Sequence, residues 1–590
     1  MTEFAWFLTL RLVTRSVVTR SVVTRSVVDS LWTILQWQRS ALPLLFALFL
    51  RFFLPAAVGD EDRVVAAAGR PPNILLIVAD DLGWGDLGCY GNPLIDTPVM
   101  DALAAEGVRL TSCYAASPLC APSRAALLTG RYNHRSGAVD VPSNRGLDRI
   151  ALSQPTLGDF FQQAGWQTTL IGKWHNGVYC DDYLPHHRGF ARFTGFANGG
   201  QDYWRWNLQR NDAPFAADGR YLSDVLNEEA CTAIRTAGDQ PFLIALMHHA
   251  PHSPLQAPED LIRKYQQRLG KDSREAVAVI YAMIEAMDTG LGRVLATLED
   301  CGQRDHTLIV LTSDNGPFLG RDSRLGPQHR FNGSWSGQKQ DVLEGGIRVP
   351  GIVSWPGRVT GGRVVDEPIH GCDWLPTLLA ACLPDQPDLR SFDGRNVLPL
   401  LQGSQSAMAP RRALFFQRNR YHPEAYSNAA VIEGRWKLYW PGIAATMRKD
   451  LLRDNPAYLR GIVRPHWEMP LDRQLQPPGV RDSPVPMLFD LLQDPAETTD
   501  VAAENPQVVA GLSAVWDRWF IDVMTDWHAA RDEILIHDRA YWRDRPSPDP
   551  RVLYDSFWLW DRVPDLNQRD SDPLQVFQGY WSQSAASELR

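Results

Sequence analysis

No C-x-x-C pair occurs anywhere in the 590 residues; the eight cysteines stand apart at 89, 113, 120, 180, 231, 301, 372 and 382. A zinc or iron–sulfur site built on paired cysteines is therefore not expected. An excess of positive charge is also missing. The 59 Lys and Arg against 68 Asp and Glu leave a net −9, which argues against wholesale nucleic-acid binding. Nor is there an unbroken apolar run of membrane-spanning length. The nearest, Ala41 to Val58, is interrupted by Arg51 and contains Pro43, both unfavourable in a stable span.

What is there reads as globular, with 44% hydrophobic and 22% charged residues. The length exceeds one ordinary core, so two or more domains are expected. The 21 tryptophans suit packing, and also aromatic faces for carbohydrate. The beginning of the chain differs from the rest. Arg11 to Val28 repeats a basic, β-branched RSVV unit, an apolar stretch follows from Ala41, and Ala66-Ala67-Ala68 offers a small-residue cleavage site. Basic, apolar and A-x-A segments in that order describe a secretory signal. Export to a periplasmic or extracellular place, with transient membrane contact through the leader, is expected ahead of an uncleaved anchor. The basic leader is long, so the true start is expected downstream of Met1. In an exported chain some cysteines could pair, and the sequence fixes no pairing.

The body repeats one grammar, a short apolar run followed at once by polar residues. Asn73-ILLIVA runs into Asp80-Asp81, and Trp166-QTTLI into Gly172-Lys173-Trp174-His175. Pro241-FLIALM runs into His248-His249-Ala250-Pro251-His252, and Thr307-LIVLTS into Asp314-Asn315-Gly316. Runs apolar on both faces read as buried, mostly parallel strands. Helical patterns lie between them, at Thr97 to Glu106, Thr156 to Gln163, Tyr221 to Thr236 and Glu275 to Leu298. The expected class is α/β, and in such sheets ligands bind beyond the carboxyl ends of the strands. All four polar clusters fall there.

Asp80, Asp81, Asp314 and Asn315 are hard oxygen donors, suited to Ca²⁺ or Mg²⁺ rather than zinc. D-D-L-G and S-D-N-G are also good turns, and the residues alone leave that reading open. The stretch Ser117 to Arg131, SPLCAPSRAALLTGR, has a second signature. Pro122 tolerates a first helical turn, so Cys120 is expected at or just before a helix N-terminus, with Arg124 one turn on. Unpaired N–H groups and a fixed guanidinium there suit a tetrahedral oxyanion. A buried structural cysteine is the alternative.

C-x-P-S-R followed by A-A-L-L-T-G-R resembles the sulfatase signature, and the resemblance runs from about Pro72 to Gly394, beginning with PNILLIVADDLGWGDLGCYG. It implies an alkaline-phosphatase-like fold: a large, mostly parallel mixed sheet flanked by helices, with a smaller C-terminal α+β domain. It also implies that Cys120 is converted to formylglycine (3-oxoalanine) by a formylglycine-generating enzyme. The aldehyde hydrates to a gem-diol that attacks sulfur, and the sulfated residue then expels sulfate as the aldehyde re-forms. Asp80, Asp81, Asp314 and Asn315 match the family's metal ligands, usually for Ca²⁺ with Mg²⁺ as the other candidate, and the modified Cys120 joins them. Lys173 would bridge formylglycine and sulfate, and His175 would be the base on the gem-diol. His252, in A-P-H-S-P, matches the substrate histidine, with His248 and His249 as neighbours outside that motif. Lys339, in Gly337-Gln338-Lys339 before Leu343-EGGIRVP, matches the sulfate-binding lysine. Either His252 or Lys339 would protonate the leaving alcohol. Gln340, Asp341 and Val342 stand where the family has small or hydroxyl residues, and Asn176 where many relatives have Leu.

The expected products are an alcohol and sulfate, from a sulfated carbohydrate or an aryl sulfate. A phosphomonoesterase or phosphonate hydrolase of the same superfamily, or a non-catalytic glycan-binding protein, are the rival readings. The expected divisions are a leader over 1–70, a catalytic domain over 71–405, a smaller domain over 406–524 and an extension over 525–590. Gly403 to Pro410 reads as a linker and 441–486 as an insertion. Strands are expected at Ala413-LFFQ, Ala429-AVIEGRWKLYW and Met487-LFD, then an amphipathic helix from Pro506 to Trp519.

Overall fold

The computed structural model describes residues 70–270, 275–319, 330–383, 391–404, 412–420, 422–447 and 484–546. The leader, nearly all of the linker, most of the 441–486 insertion and the tail beyond 546 lie outside the described residues. The four apolar runs are the central strands. They are β1 (Asn73–Ala79), β3 (Gln167–Lys173), β7 (Phe242–Met247) and β8 (Thr307–Ser313). They lie side by side in the order β8-β1-β7-β3, all parallel. Their carboxyl ends, and hence their polar clusters, share one edge.

Around them the sheet becomes mixed. It takes in β2 (Val108–Tyr114), β4 (Arg192–Phe196), β5 (Asn207–Arg210), β6 (Ala213–Ala216), β9 (Arg348–Ser354), β10 (Arg363–Val365) and β11 (Ile369–His370). Its order is β10-β2-β9-β8-β1-β7-β3-β4-β5-β6, with β11 on β2 and β9 antiparallel to both its neighbours. Alternate residues of β1 enter opposite cores. Leu75 and Ile77 meet one apolar cluster, and Ile74, Leu76 and Val78 meet the other. This two-sided burial is why the run carries no polar alternation.

Helices cover both faces. They include α1 (Pro98–Glu106), α2 (Cys120–Thr129), α3 (Leu157–Gln163), α4 (Leu222–Ala237), α5 (Glu259–Leu269), α6 (Glu275–Asp300) and α7 (Trp374–Cys382). A second sheet is antiparallel, ordered β12 (Leu414–Gln417), β13 (Ala429–Glu433), β14 (Trp436–Trp440) and β15 (Met487–Asp490). The helix expected to stop at Trp519 continues, as α8 (Pro506–Trp542). The 524/525 division therefore falls inside one helix. Trp516, Trp519, Val523, Trp527, Ala530 and Ile534 recur along its buried stripe. Beyond Trp519 it packs on the segment after α2, where Val139 and Leu147 meet Trp527 and Ala151 meets Ile534. All eight cysteines are free thiols. Among the described residues, no helix is long and apolar enough to cross a membrane.

Candidate active site

The chain turns sharply where β1 ends. Asp81 takes a left-handed backbone, φ 64°, sparsely populated for a non-glycine residue. Arg330 holds this turn from outside, donating to the Asp81 carbonyl at 2.8 Å and to both oxygens of Asp86. At the end of β3, Gly172 lies so close to β7 that a Cβ there would meet the Met247 carbonyl oxygen at 2.0 Å. Only glycine allows the approach, and the next residue, Lys173, is delivered beneath the strand ends. His175 follows, also left-handed at φ 59°.

Cys120 opens α2 after an extended Leu119, and every residue of the helix is buried. One turn on, Arg124 donates from Nε to Asp314 Oδ2 at 2.8 Å and from Nη1 to the Lys173 carbonyl at 3.0 Å. Lys173 Nζ lies 2.7 Å from Asp80 Oδ2, and Lys339 Nζ lies 2.6 Å from Asp81 Oδ1. Asn315 donates to Asp81 Oδ1 at 2.7 Å. Asn176 ties the neighbourhood together, donating to the carbonyls of Ala121 and Asp148, both at 3.0 Å.

Histidines and one loop form another wall. His249 Nδ1 is 3.2 Å from Asp80 Oδ2, and His252 Nε2 is 3.8 Å from Asp81 Oδ2. His252 Nδ1 is 2.7 Å from the Ser253 carbonyl, so Nδ1 carries its proton and Nε2 its lone pair when the ring is neutral. The loop after β4 packs on these rings. Gly199 lies against His175, Gln201 N–H points to His249 Nε2 at 3.2 Å, and Tyr203 stacks on His249 at 5.0 Å. The Tyr203 hydroxyl donates to the His252 carbonyl at 2.9 Å.

The segment carrying Lys339 is gripped from the second sheet. Lys339 N–H donates to the Pro317 carbonyl, and Gln340 N–H to the Pro118 carbonyl beside the α2 start. The Gln340 carbonyl accepts from Asn428 Nδ2 at 2.8 Å. Glu344 N–H donates to Glu497 at 2.7 Å, and the buried Lys437 ammonium lies 3.1 Å from Glu344 and 2.7 Å from Glu497.

All ten sequence-selected residues are thus placed at one centre, none more than 8% exposed. Residues missed by sequence reasoning surround them: His249 directly on Asp80, and Asp86, Arg330, Asn428 and Glu497 as supports. The doubled histidine of HHAPH was the one visible signal for His249, which belongs to the centre and not merely to the strand end.

The electrostatics follow from burial and charge. Burial pushes the Cys120 thiol up despite the Lys173 and Lys339 charges, so it stays protonated and is a poor nucleophile as it stands. Burial, then the charges of Lys173 and Arg124, hold the His175 imidazole well below its ordinary value, hence neutral. His252 is neutral for the same first reason. Burial opposes the Lys339 charge, but the Asp81 carboxylate outweighs it and keeps the ammonium. Burial, then the Asp80 carboxylate, push Asp314 up to about 6. Oxygens of Asp80, Asp81 and Asp314 lie within 4.8 Å of one another. Buried Asp80 Oδ1 and Asn315 Oδ1 have no hydrogen-bond partner, and neither has Arg124 Nη2. Crowded carboxylates with unsatisfied oxygens fit a hard divalent cation.

Comparison with known proteins agrees with this chemistry. The sulfatase family model matches residues 72–382. Human arylsulfatase D is 32% identical over an alignment covering 79% of this chain and 88% of its own. Mouse steryl-sulfatase is 31% identical, covering 88% of this chain and 90% of its own. Among solved structures, Ps i-CgsB in complex with k-i-k-neocarrahexaose is 26% identical with a TM-score of 0.63, covering 80% of this chain and 97% of that one.

Proposed function

The chain belongs to the sulfatase family and is a sulfuric ester hydrolase, and from that premise we propose that it cleaves a sulfate monoester at the centre around Cys120. The observation that carries the reading is a charge balance. Asp80, Asp81 and Asp314 face Arg124, Lys173 and Lys339, three carboxylates against three cations, and the histidines are neutral. A divalent cation added to a self-neutral cluster makes it a site for an anion.

Asp80, Asp81, Asp314 and Asn315 would hold that cation, Ca²⁺ by the family resemblance, and it would supply charge neutralisation and polarise an oxygen. Conversion of Cys120 to 3-oxoalanine by a formylglycine-generating enzyme would supply a hydrated aldehyde as nucleophile, which the protonated thiol is not. The residues of the chain do the rest. Arg124 and Lys173 bind and orient the sulfate oxygens as fixed positive groups in a water-poor centre. The neutral His175 accepts a proton from the nucleophilic residue. Lys339 Nζ, which keeps its proton, donates to the leaving oxygen. Neutral His252 has no proton on Nε2 to give, so of the two candidates Lys339 is the acid and His252 orients the ester. The ester is that of a carbohydrate or of an aryl alcohol. The leader exports the protein to a periplasmic or extracellular place, and residues 71–405 form one working part, with the second running from 406 through the end of α8 at Trp542.

The test is the mass of the tryptic peptide Leu110 to Arg124 from protein made in a host with the converting enzyme, together with turnover of 4-nitrophenyl sulfate and 4-nitrophenyl phosphate. An aldehyde mass and preference for the sulfate are expected. An unmodified thiol beside a converted control, or preference for the phosphate, overturns the reading.

A further inference from the structure

Outside the centre, imidazoles and carboxylates gather again at a cleft of about 570 Å³ between the loop that follows β3 and the last turns of α8. Its walls include Asp182, His187, Asp212, His537 and Tyr541, and carboxylates outnumber the single guanidinium, Arg545. On one side His186, His187 and Asp212 bring one ligand atom each to within 4.8 Å of one another. We propose that these three side chains form a second metal site, for Zn²⁺ or a similar nitrogen-seeking divalent cation, which clips the β5–β6 hairpin to the loop after β3. This site shares no residue with the centre around Cys120 and is independent of the ester cleaved there.

Each ligand sits on backbone that is already fixed. His186 and His187 occupy a single 3₁₀ turn, Pro185–His187, followed by the buried Arg188, whose guanidinium donates to the carbonyls of Ile150 at 2.8 Å and Gln154 at 2.7 Å. The two imidazole rings lie 4.4 Å apart, tilted by 47°. Asp212 stands at the turn between β5 and β6, on the free edge of the large sheet. Asn211 before it is left-handed at φ 48°; its N–H donates to the Phe193 carbonyl at 2.9 Å and its side chain accepts from Phe193 N–H at 2.8 Å. Asp212 Oδ1 is 3.0 Å from His186 Nε2. Zinc bonds of about 2.0–2.1 Å put tetrahedral ligands about 3.3 Å apart, so this pair is close to the spacing two ligands of one ion need. The other ring nitrogen, Nδ1, is buried in a side chain only 8% exposed and has no hydrogen-bond partner among the described residues. A buried nitrogen left idle is costly, so the ion pair with Asp212 does not by itself account for the placing of this ring.

Two imidazole nitrogens and one carboxylate oxygen are a donor set for Zn²⁺, Cu²⁺ or Ni²⁺, whereas Ca²⁺ and Mg²⁺ take oxygens. Three protein ligands leave a coordination position for water. The neighbouring trio Cys180, His537 and Asp538 has similar spacing but is closed by the protein's own charges. Asp538 lies 3.4 Å from Arg149 and accepts from Cys180 at 3.5 Å, while His537 reaches Asp538 at 3.3 Å and Asp182 at 2.9 Å. Burial also pushes the Cys180 thiol up, and a thiol must lose its proton to bind a metal.

The experiment uses the full chain without a histidine tag, in excess Ca²⁺ so that Zn²⁺ does not enter the carboxylate centre. Zn²⁺ is titrated by calorimetry, and thermal melting is read with and without one equivalent. One equivalent is expected to bind and to raise the melting temperature. Loss of a supporting group weakens a metal site roughly 10–100-fold, so loss of a ligand in His187→Ala or Asp212→Ala should weaken Zn²⁺ binding by about 100-fold or more and abolish the rise. His187 is exposed, so its variant should melt as the zinc-free wild type does and keep its turnover of 4-nitrophenyl sulfate. No binding of Zn²⁺, or several weak equivalents unchanged in both variants, overturns the proposal. So does binding that survives His187→Ala but is lost in His537→Ala or Cys180→Ser, which would move the ion to the neighbouring trio. Failure of the wild type to hydrolyse the nitrophenyl ester overturns the sulfatase reading and leaves this site standing.

Discussion

Asn428 touches no substrate, yet its replacement by glycine should slow the enzyme. The residue is buried, with a left-handed backbone at φ 43°. Its side chain donates to the Gln340 carbonyl at 2.8 Å and the Arg418 carbonyl at 2.9 Å, and accepts a long 3.4 Å bond from Val342 N–H. Glycine is the right perturbation, because alanine would add roughly 1–2 kcal/mol of left-handed strain. Each buried group left without a partner costs about 1–3 kcal/mol, so two carbonyls and one weakly held N–H amount to about 3 kcal/mol. Part of that falls on the turn at Gln340, itself at φ 84° and adjacent to Lys339. If about half is spent misplacing Lys339, kcat falls roughly tenfold with little change in KM, since the ammonium acts on the leaving oxygen. The decisive assay is a double-mutant cycle with Lys339→Ala. In that background Asn428→Gly should cost stability as before but no further rate. An equal rate loss in both backgrounds would refute the argument that the second sheet acts through Lys339.

Three other outcomes are expected. Removing divalent metal with a chelator should abolish turnover and lower the melting temperature, and Ca²⁺ should restore both. Asp80→Asn should show the first loss without the rescue, measured by nitrophenyl sulfate hydrolysis and thermal melting. Burial holds His134 down to about 4, so the unfolded chain binds the extra proton first as pH falls. Its stabilising contribution is complete above the unfolded value of about 6.5 and shrinks by about 2 kcal/mol at pH 5. His134→Gln, which can keep a bond to Gln417, should remove that part of the fall in urea midpoint between pH 7 and 5. Asp538→Ala leaves the fully buried Arg149 with the more distant Asp148, at 3.8 Å in place of Asp538 at 3.4 Å. The loss should be about 3–5 kcal/mol in urea unfolding, showing that the far half of α8 belongs to the folded body.

How much of this was legible in the sequence depends on what each residue had to satisfy. The central strands had to be apolar on both faces, and that constraint is written into consecutive residues. Asp80, Lys173, His252 and Asp314 had to follow those strands, so finding a strand end also found its chemistry. Cys120 had to open a helix, and Pro122 marked it. The continuation of α8 was legible too: Trp516, Trp519, Val523, Trp527, Ala530 and Ile534 keep a spacing of three and four through the stretch read as a tail. Its Asp, Arg and Trp content drew the reading away from that period. Asn428 and Glu497 are different. Asn428 lies 88 residues from the carbonyl it holds, and Glu497 lies 153 from the N–H it accepts. Neither sits in a periodic segment, and any turn can carry Asn or Glu for local reasons. A group that does chemistry needs one residue type at one strand end. A group that positions another needs only a donor or acceptor within reach, and which residues come within reach is decided by the fold of the other half of the chain.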